Sequence, residues 1–86
     1  MAKYSIVFKP SVWKDLDDVG KADRQRILKR IEKLAEYPRP VGCKKLTGSE
    51  KYRIRQDNYR ILYSIEDGKL VIVIVKVGHR GETYTR

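Results

Sequence analysis

Cysteine, histidine, tryptophan and methionine each occur once in this chain. A lone Cys43 cannot form an internal disulfide, so nothing points to an oxidising compartment, and the residue reads as a small apolar side chain. One histidine, one cysteine and no paired carboxylates assemble no plausible metal cage, and no metal or other cofactor is expected. Gly78 and Gly81 stand at a strand end with no following helix, which excludes a phosphate-cradling glycine loop. The longest unbroken apolar run, residues 70–75, is far too short to span a bilayer, and the N-terminal Met-Ala-Lys-Tyr-Ser-Ile-Val-Phe has no signal-peptide core. The expectation is a cytoplasmic protein with no membrane attachment. Acidic residues are scarce as well: 11 Asp and Glu against 20 Lys and Arg leave a formal charge of +9.

A chain of 86 residues buries about 60 to 65% of its unfolded surface, enough for one hydrophobic core and too little for two. One domain over residues 1–86 is expected. Clustered Lys and Arg release counterions on meeting a polyphosphate, so the charge favours a polyanionic partner. A solvated basic surface or an acidic protein partner leaves the same total, and only the arrangement of the charges discriminates.

Tyr4, Ile6 and Phe8 alternate with Ser5 and Val7, the period of a short strand, and Lys9-Pro10 ends it because proline has no N–H to give a ladder. Val12, Leu16 and Val19 recur at helical spacing, with Trp13 widening the stripe, which predicts an amphipathic helix over residues 10–19 stopped at Gly20. Asp15, Asp17 and Asp18 fall off that stripe. Asp23 reads as the cap of a second helix whose apolar face is Ile27, Leu28, Ile31, Leu34 and Ala35, closed by Pro38-Arg39-Pro40. Beyond Gly42 the period becomes two. Lys45-Leu46 reads as a short edge strand before the Thr47-Gly48-Ser49 turn. Residues 52–56 and 59–65 form a hairpin about Asp57-Asn58, and Asp67-Gly68 turns into residues 70–77. That last strand is almost continuous Val and Ile and is expected to be central and covered on both faces. The order β-α-α-β-β-β predicts an α+β fold, with two N-terminal helices packed on one face of a small, mainly antiparallel sheet.

Side chains alternate across a strand, so parity sorts the sheet into two faces. Tyr59, Ile61, Tyr63 and Ile65 belong under the helices, and Arg60, Leu62 and Ser64 point away. Arg53 and Arg55 lie opposite Tyr52 and Ile54; Lys76 and Arg80 lie opposite Val71, Val73, Val75 and Val77. One open surface would then collect Arg53, Arg55, Arg60, Lys76 and Arg80, with few carboxylates nearby. Either something anionic fills it, or the charges guard edge strands against pairing with another chain.

The guanidinium fork suits a phosphate because it binds two oxygens and never loses its charge, and for the same reason it cannot move a proton. Cleavage of RNA through its 2′-hydroxyl needs a base and an acid from elsewhere. Tyr84, Tyr52, Tyr59, Lys51 and His79 are the candidates. A phenol is only about 0.1% ionised at pH 7, and bringing it into range takes about 3 to 4 kcal/mol. One cation at about 6 Å supplies up to about 2.8 kcal/mol at an effective dielectric of 20, so two close arginines suffice. Tyr84 reads equally as a residue that stacks on a base or packs on the sheet edge. His79 lies opposite Arg80 by parity and reads as a structural residue or a proton donor.

Four fragments in order complete the reading: Lys45-Leu46-Thr47-Gly48; Tyr52-Arg53-Ile54-Arg55; Asn58-Tyr59-Arg60-Ile61-Leu62-Tyr63; and Val77-Gly78-His79-Arg80 with Glu82-Thr83-Tyr84. With the helix pair upstream, essentially the whole chain resembles the RelE toxins of bacterial and archaeal toxin–antitoxin pairs. The resemblance implies a metal-independent endoribonuclease, an mRNA interferase, that enters the A site of the 30S ribosomal subunit and cuts the mRNA codon there through 2′-hydroxyl attack. By that similarity Arg60 and Arg80 match the phosphate-stabilising arginines and Tyr84 the terminal aromatic, the expected catalytic set. Arg53 and Arg55 match a basic strand pair often made of lysines and, with Lys51 and Lys76, are expected to bind RNA; His79 is a candidate for proton transfer. Arginines in place of titratable lysines shift any proton transfer toward Tyr84 or another group. The chain also stops at Arg86, short of the C-terminal helix of some relatives. The implied partners are a RelB-like antitoxin, the ribosome and mRNA. Leu62 and uncovered parts of Leu70, Ile72 and Ile74 are either the antitoxin's apolar landing site or plain core. The alternatives are a ParE-like inhibitor of DNA gyrase, whose kind generally lacks an Arg80 and Tyr84 pair, and a non-catalytic basic RNA-binding module.

Overall fold

A computed structural model describes residues 3–79. The elements are β1 (Ser5–Phe8), α1 (Pro10–Asp17), α2 (Lys21–Lys33), β2 (Lys44–Lys45), β3 (Lys51–Gln56), β4 (Tyr59–Glu66) and β5 (Val71–His79). The strands form one five-stranded sheet in the order β1-β5-β4-β3-β2. β1 runs parallel to β5, and every other neighbouring pair is antiparallel. The expected α+β architecture is therefore present: the two-helix connection carries the chain from β1 at one edge to β2 at the other, and the antiparallel strands that follow lead back until β5 lies parallel to β1, so the sheet is mixed.

Both helices bury one stripe against one side of the sheet. Val12 and Leu16 from α1 meet Ile27, Ile31 and, just past α2, Leu34 over Ile54, Ile61, Tyr63, Ile72, Ile74 and Val77. The face assigned to the helices in β4 is the buried one: Ile61 and Tyr63 are fully buried, and Tyr59 and Ile65 pack against the cluster. Among the described residues no helix is long and apolar enough to cross a membrane.

Several boundaries differ from those read in the sequence. α1 ends at Asp17 and Val19 is reached through a turn, its N–H bonding to the Leu16 carbonyl. α2 starts two residues before Asp23, with Gly20 as its N-cap. Asp23 instead occupies the first turn, where its carboxylate suits the helix dipole and pairs with Arg26 at 2.6 Å. The edge strand is Lys44–Lys45, one residue earlier than Lys45-Leu46. The Asp57-Asn58 hairpin forms as expected, with Asp57 at φ 56° and its carboxylate accepting from Arg26 and Gln56, each at 3.2 Å. The turn after β4 is longer than Asp67-Gly68 implied: β5 starts at Val71, and Leu70, not Gly68, takes the positive φ, 55°.

β5 carries the largest correction. Leu62 pairs with Lys76, but Tyr63 pairs with Ile74, so Val75 is an extra residue bulged out of the ladder. The bulge reverses parity along the strand. Ile72 and Ile74 face the helices and are fully buried, then Val77 takes over at 2% exposure. Val71 and Val73 therefore share the open face with Lys76 instead of opposing it, and only Val77 stands opposite. The strand is not covered on both sides among the described residues: Val71, Val73 and Val75 are half-buried. Ile72 and Ile74 are core, which removes them as an antitoxin landing site.

Candidate nucleic-acid-binding face

Strand register lays the open face out in rows, because directly paired residues in neighbouring strands point to the same side about 5 Å apart. One row runs Arg55, Arg60, Gly78. The next runs Lys44, Arg53, Leu62, Lys76. A third runs Lys51, Ser64, Val73, Val7. A fourth runs Glu66, Val71, Ser5. The face is cationic at the end near the β3–β4 turn and becomes neutral and apolar toward β1, where Val7 is 48% exposed.

The structure thus brings together Lys51, Arg53, Arg55, Arg60 and Lys76, and adds Lys44. Lys44 was missed because the edge strand was read from Lys45, which left Lys44 outside it, whereas it pairs with Arg53. Gly78, opposite Arg60, places no side chain in the arginine row. Two arginines directly opposed, Arg55 and Arg60, repel each other, and strand pairing rather than attraction holds them there. Among the described residues no carboxylate pairs with Lys44, Lys51, Arg53 or Arg55. The Nε of Arg53 is shielded from solvent without a hydrogen-bond acceptor among them. A polar donor so placed costs free energy until an acceptor arrives, and a phosphate oxygen is one.

Lys76 differs from the rest. Its Nζ lies 3.3 Å from Asp15 Oδ1, and the Val77 N–H donates to Asp15 Oδ2 at 3.1 Å. β1 ends at Phe8, whose partner is Ile74, so among the described residues β5 continues with one edge unpaired by a strand. Asp15, from α1 and only 15% exposed, takes the place of the missing strand at Val77 and answers Lys76 at the same time. The scarcity of carboxylates expected around the cations therefore does not extend to Lys76. Asp15 could have been suspected from its position off the apolar stripe of α1, but its target was not legible.

Of the candidates for proton transfer, Lys51 is on the open face and three others are on the far side of the sheet. Tyr59 pairs with His79, and the two rings meet edge to face at 5.3 Å. With Asp15, Asp18, Val19, Lys76, Val77 and Gly78 they line a cavity of about 570 Å3. Tyr52 stacks on Tyr63 at 5.9 Å and accepts a hydrogen bond from Arg39 Nε at 3.2 Å. Three of the candidate acids and bases, Tyr52, Tyr59 and His79, are thus separated from the arginine rows by the backbone of the sheet. The Tyr63 phenol is pushed well up by burial and by its contact with Cys43. Arg80 and Tyr84 lie outside the described residues.

Two helices on one side of a five-stranded mixed sheet, with a basic surface on the other, define a toxin scaffold of the RelE/ParE superfamily, and the chain is of the RelE type within it. It belongs to the family described as the ParE toxin of the type II toxin–antitoxin system parDE, whose model matches residues 6–84. It is similar to the mRNA interferase toxin RelE of Escherichia coli K12, 29% identical over 87 residues that cover 95% of this chain and 90% of the relative. The archaeal RelE–RelB complex of Pyrococcus horikoshii contains a similar chain, 31% identical, with a TM-score of 0.83 and coverage of 93% and 98%. The intact RelBE toxin–antitoxin complex of E. coli contains another, 27% identical at a TM-score of 0.78, with coverage of 92% and 99%.

Proposed function

We propose that residues 1–86 act as one domain, the toxin of a toxin–antitoxin pair, and that the toxin is a cytoplasmic, metal-independent endoribonuclease that cuts mRNA codons in the ribosomal A site. The observation that carries this reading is the pair of cationic rows: strand pairing sets arginines side by side, with no carboxylate answering Arg53 or Arg55 among the described residues. The names of the relatives, an mRNA interferase and toxins bound to RelB, point the same way. In this mechanism Lys51, Arg53, Arg55 and Lys44 draw the RNA backbone onto the face, where each contact releases counterions. Arg60, in the central strand of the basic end, and Arg80, which follows His79 in sequence, hold the scissile phosphate as charge builds on its oxygens. The 2′-hydroxyl attacks phosphorus, a cyclic phosphate forms and the 5′-oxygen leaves. Tyr52, Tyr59 and His79 stand behind the sheet while Lys51 is on the open face; with Lys51 counted among the RNA-binding cations, the proton transfer is assigned to Tyr84, the terminal aromatic of the resemblance. A RelB-like antitoxin silences the toxin by covering this face, with Leu62 among the cations and the neutral strip of Val7, Val71 and Val73 as its apolar footing.

The test is primer extension on mRNA from cells making the toxin, run beside a gyrase supercoiling assay. Ribosome-dependent cuts at codon boundaries are expected. The family description names a ParE toxin, which keeps open the second reading, a ParE-like inhibitor of gyrase; trapped gyrase with uncut mRNA would establish it and remove the nuclease.

A further inference from the structure

A second basic surface lies where α2 ends. Arg30, Lys33, Leu34, Tyr37, Arg39, Pro40 and Val41 line a groove of about 430 Å3. Leu34 is buried and forms its floor, while Tyr37 is 64% exposed and Val41 98%. An apolar residue on a slack loop would mean little, but this loop is held at several points. The Tyr63 hydroxyl, rising from the core, donates to the Pro38 carbonyl at 2.7 Å. Arg39 donates to Asp67 at 2.9 Å and lies over the Tyr52 ring at 5.2 Å. The Cys43 N–H closes a turn onto the Pro40 carbonyl at 3.0 Å, with Gly42 at φ 91°, a geometry open to glycine and closed to most residues. Val41 is therefore displayed on the tip of a rigid turn. Arg30 and Lys33, one helical turn apart beside it, have no carboxylate partner among the described residues.

We propose that this groove seats an acidic segment of the antitoxin, with an apolar side chain packed between Tyr37 and Val41 and carboxylates on Arg30 and Lys33. The proposal rests on the reading that this chain is the toxin of such a pair. Charge complementarity selects the occupant. A second copy would bring another formal +9 against the same cations. RNA has Arg53 and Arg55 of the open face to bind, which pair with no carboxylate among the described residues, and the aliphatic Leu34 and Val41 offer its charged backbone no partner. A partner able to cover those arginines must itself carry carboxylates, so one acidic chain can answer both surfaces. The groove belongs to the helix side and the arginine rows to the other, so the two sites do not compete. Seating one segment in the pre-organised groove raises the local concentration of the segment that closes the RNA face, and the gain requires no new contact there.

The experiment measures purified cognate antitoxin binding to the full chain by calorimetry, for the wild type, for Tyr37→Glu with Val41→Glu, and for Arg30→Glu with Lys33→Glu. Both pairs are expected to weaken binding about tenfold or more, the scale for losing one anchor residue of an interface. Ribosome-dependent cleavage without antitoxin should stay at the wild-type level in both pairs; the thermal midpoint should hold for the exposed Tyr37 and Val41 pair and fall by several degrees for the Arg30 and Lys33 pair, whose new carboxylates oppose the dipole in the last turn of α2. Unchanged antitoxin affinity overturns the proposal. So does a loss of cleavage with retained antitoxin affinity, which assigns the groove to the ribosome or RNA. A wild type that is dimeric, with a monomeric Val41→Glu variant of full antitoxin affinity, assigns the groove to a second copy. The two readings fail separately. Variants that lose antitoxin while even the wild type cuts no codon would retire the nuclease and keep the groove; full affinity in variants of an active nuclease would retire the groove alone.

Discussion

The open sheet face and the groove beside α2 are both built from Arg, Lys and apolar residues, yet they present opposite problems to a partner. On the sheet, strand pairing sets Arg55 against Arg60 and Arg53 between Lys44 and Leu62, so the charges are crowded by the backbone, and among the described residues no carboxylate pairs with Lys44, Arg53 or Arg55. At the groove, helical spacing separates Arg30 from Lys33 around a buried Leu34, and a pinned turn lifts Val41 into solvent. Crowded cations without apolar cover fit a flexible polyanion of uniform charge spacing. Separated cations around an apolar floor fit a folded or folding acidic peptide. Local geometry, not composition, distinguishes the two.

Arg60→Ala is the most severe way to break this comparison. Removing one donor that holds developing charge typically costs about 100- to 1,000-fold in rate, so codon cleavage measured by primer extension should vanish while antitoxin still binds through the groove. Arg80→Ala should do the same. Tyr84→Phe keeps the ring and removes the hydroxyl; cleavage at the normal rate would leave stacking as the tyrosine's contribution.

Asp15→Ala tests the support beneath the sheet face. It strips the Val77 N–H and Lys76 of their shared acceptor and should destabilise the fold by about 1 to 2 kcal/mol, read as a lower urea midpoint at unchanged m-value. Asp15→Asn, which keeps an oxygen for Val77, should lose less. Tyr63→Phe is the counterpart at the groove: losing the bond to Pro38 should lower stability by about 1 kcal/mol and weaken antitoxin binding without changing RNA affinity.

Salt dependence separates the surfaces more finely. Arg53→Gln and Arg55→Gln should each lower the slope of log affinity against log salt for a single-stranded RNA by about 0.7, whereas Arg30→Gln should leave that slope alone. The smallest effect is expected with pH. Asp67 is held below the ordinary carboxylate range by its hydrogen bond from Arg39, and after that by the Tyr4 hydroxyl. A carboxylate depressed in the folded state contributes stability above its unfolded value of about 3.9, and that contribution disappears as pH falls through the depressed value. The tether on the groove loop should therefore hold at neutral pH and release in acid, and Asp67→Asn should flatten the acid limb of a circular-dichroism unfolding curve.

Much of this was legible along the chain. Period and punctuation are local properties, so the helix pair, the Asp57-Asn58 hairpin and the core face of β4 could be read from Ile27, Ile31, Ile61 and Tyr63. Parity within β3 and β4 put Arg53, Arg55 and Arg60 on one face because those strands are regular. What failed was whatever depended on a neighbour. The Val75 bulge exists only in the pairing of β5 with β4, and it exchanged Ile72 and Ile74 for Val71 and Val73 as the apolar part of the open face. Lys44 joined the cations because β3 chose the register of its edge strand.

The sequence by itself determined a basic α+β chain with its helices on one side and its strand arginines on the other, because side-chain periodicity and charge are written residue by residue. The tertiary structure decided which groups meet. Asp15 reaches Val77 across 62 positions of chain, His79 turns to Tyr59 behind the sheet, and Tyr63 pins Pro38 so that Val41 stands out. Such contacts depend on strand order, on one bulged residue and on where β1 stops, and these are settled only when the whole core packs at once.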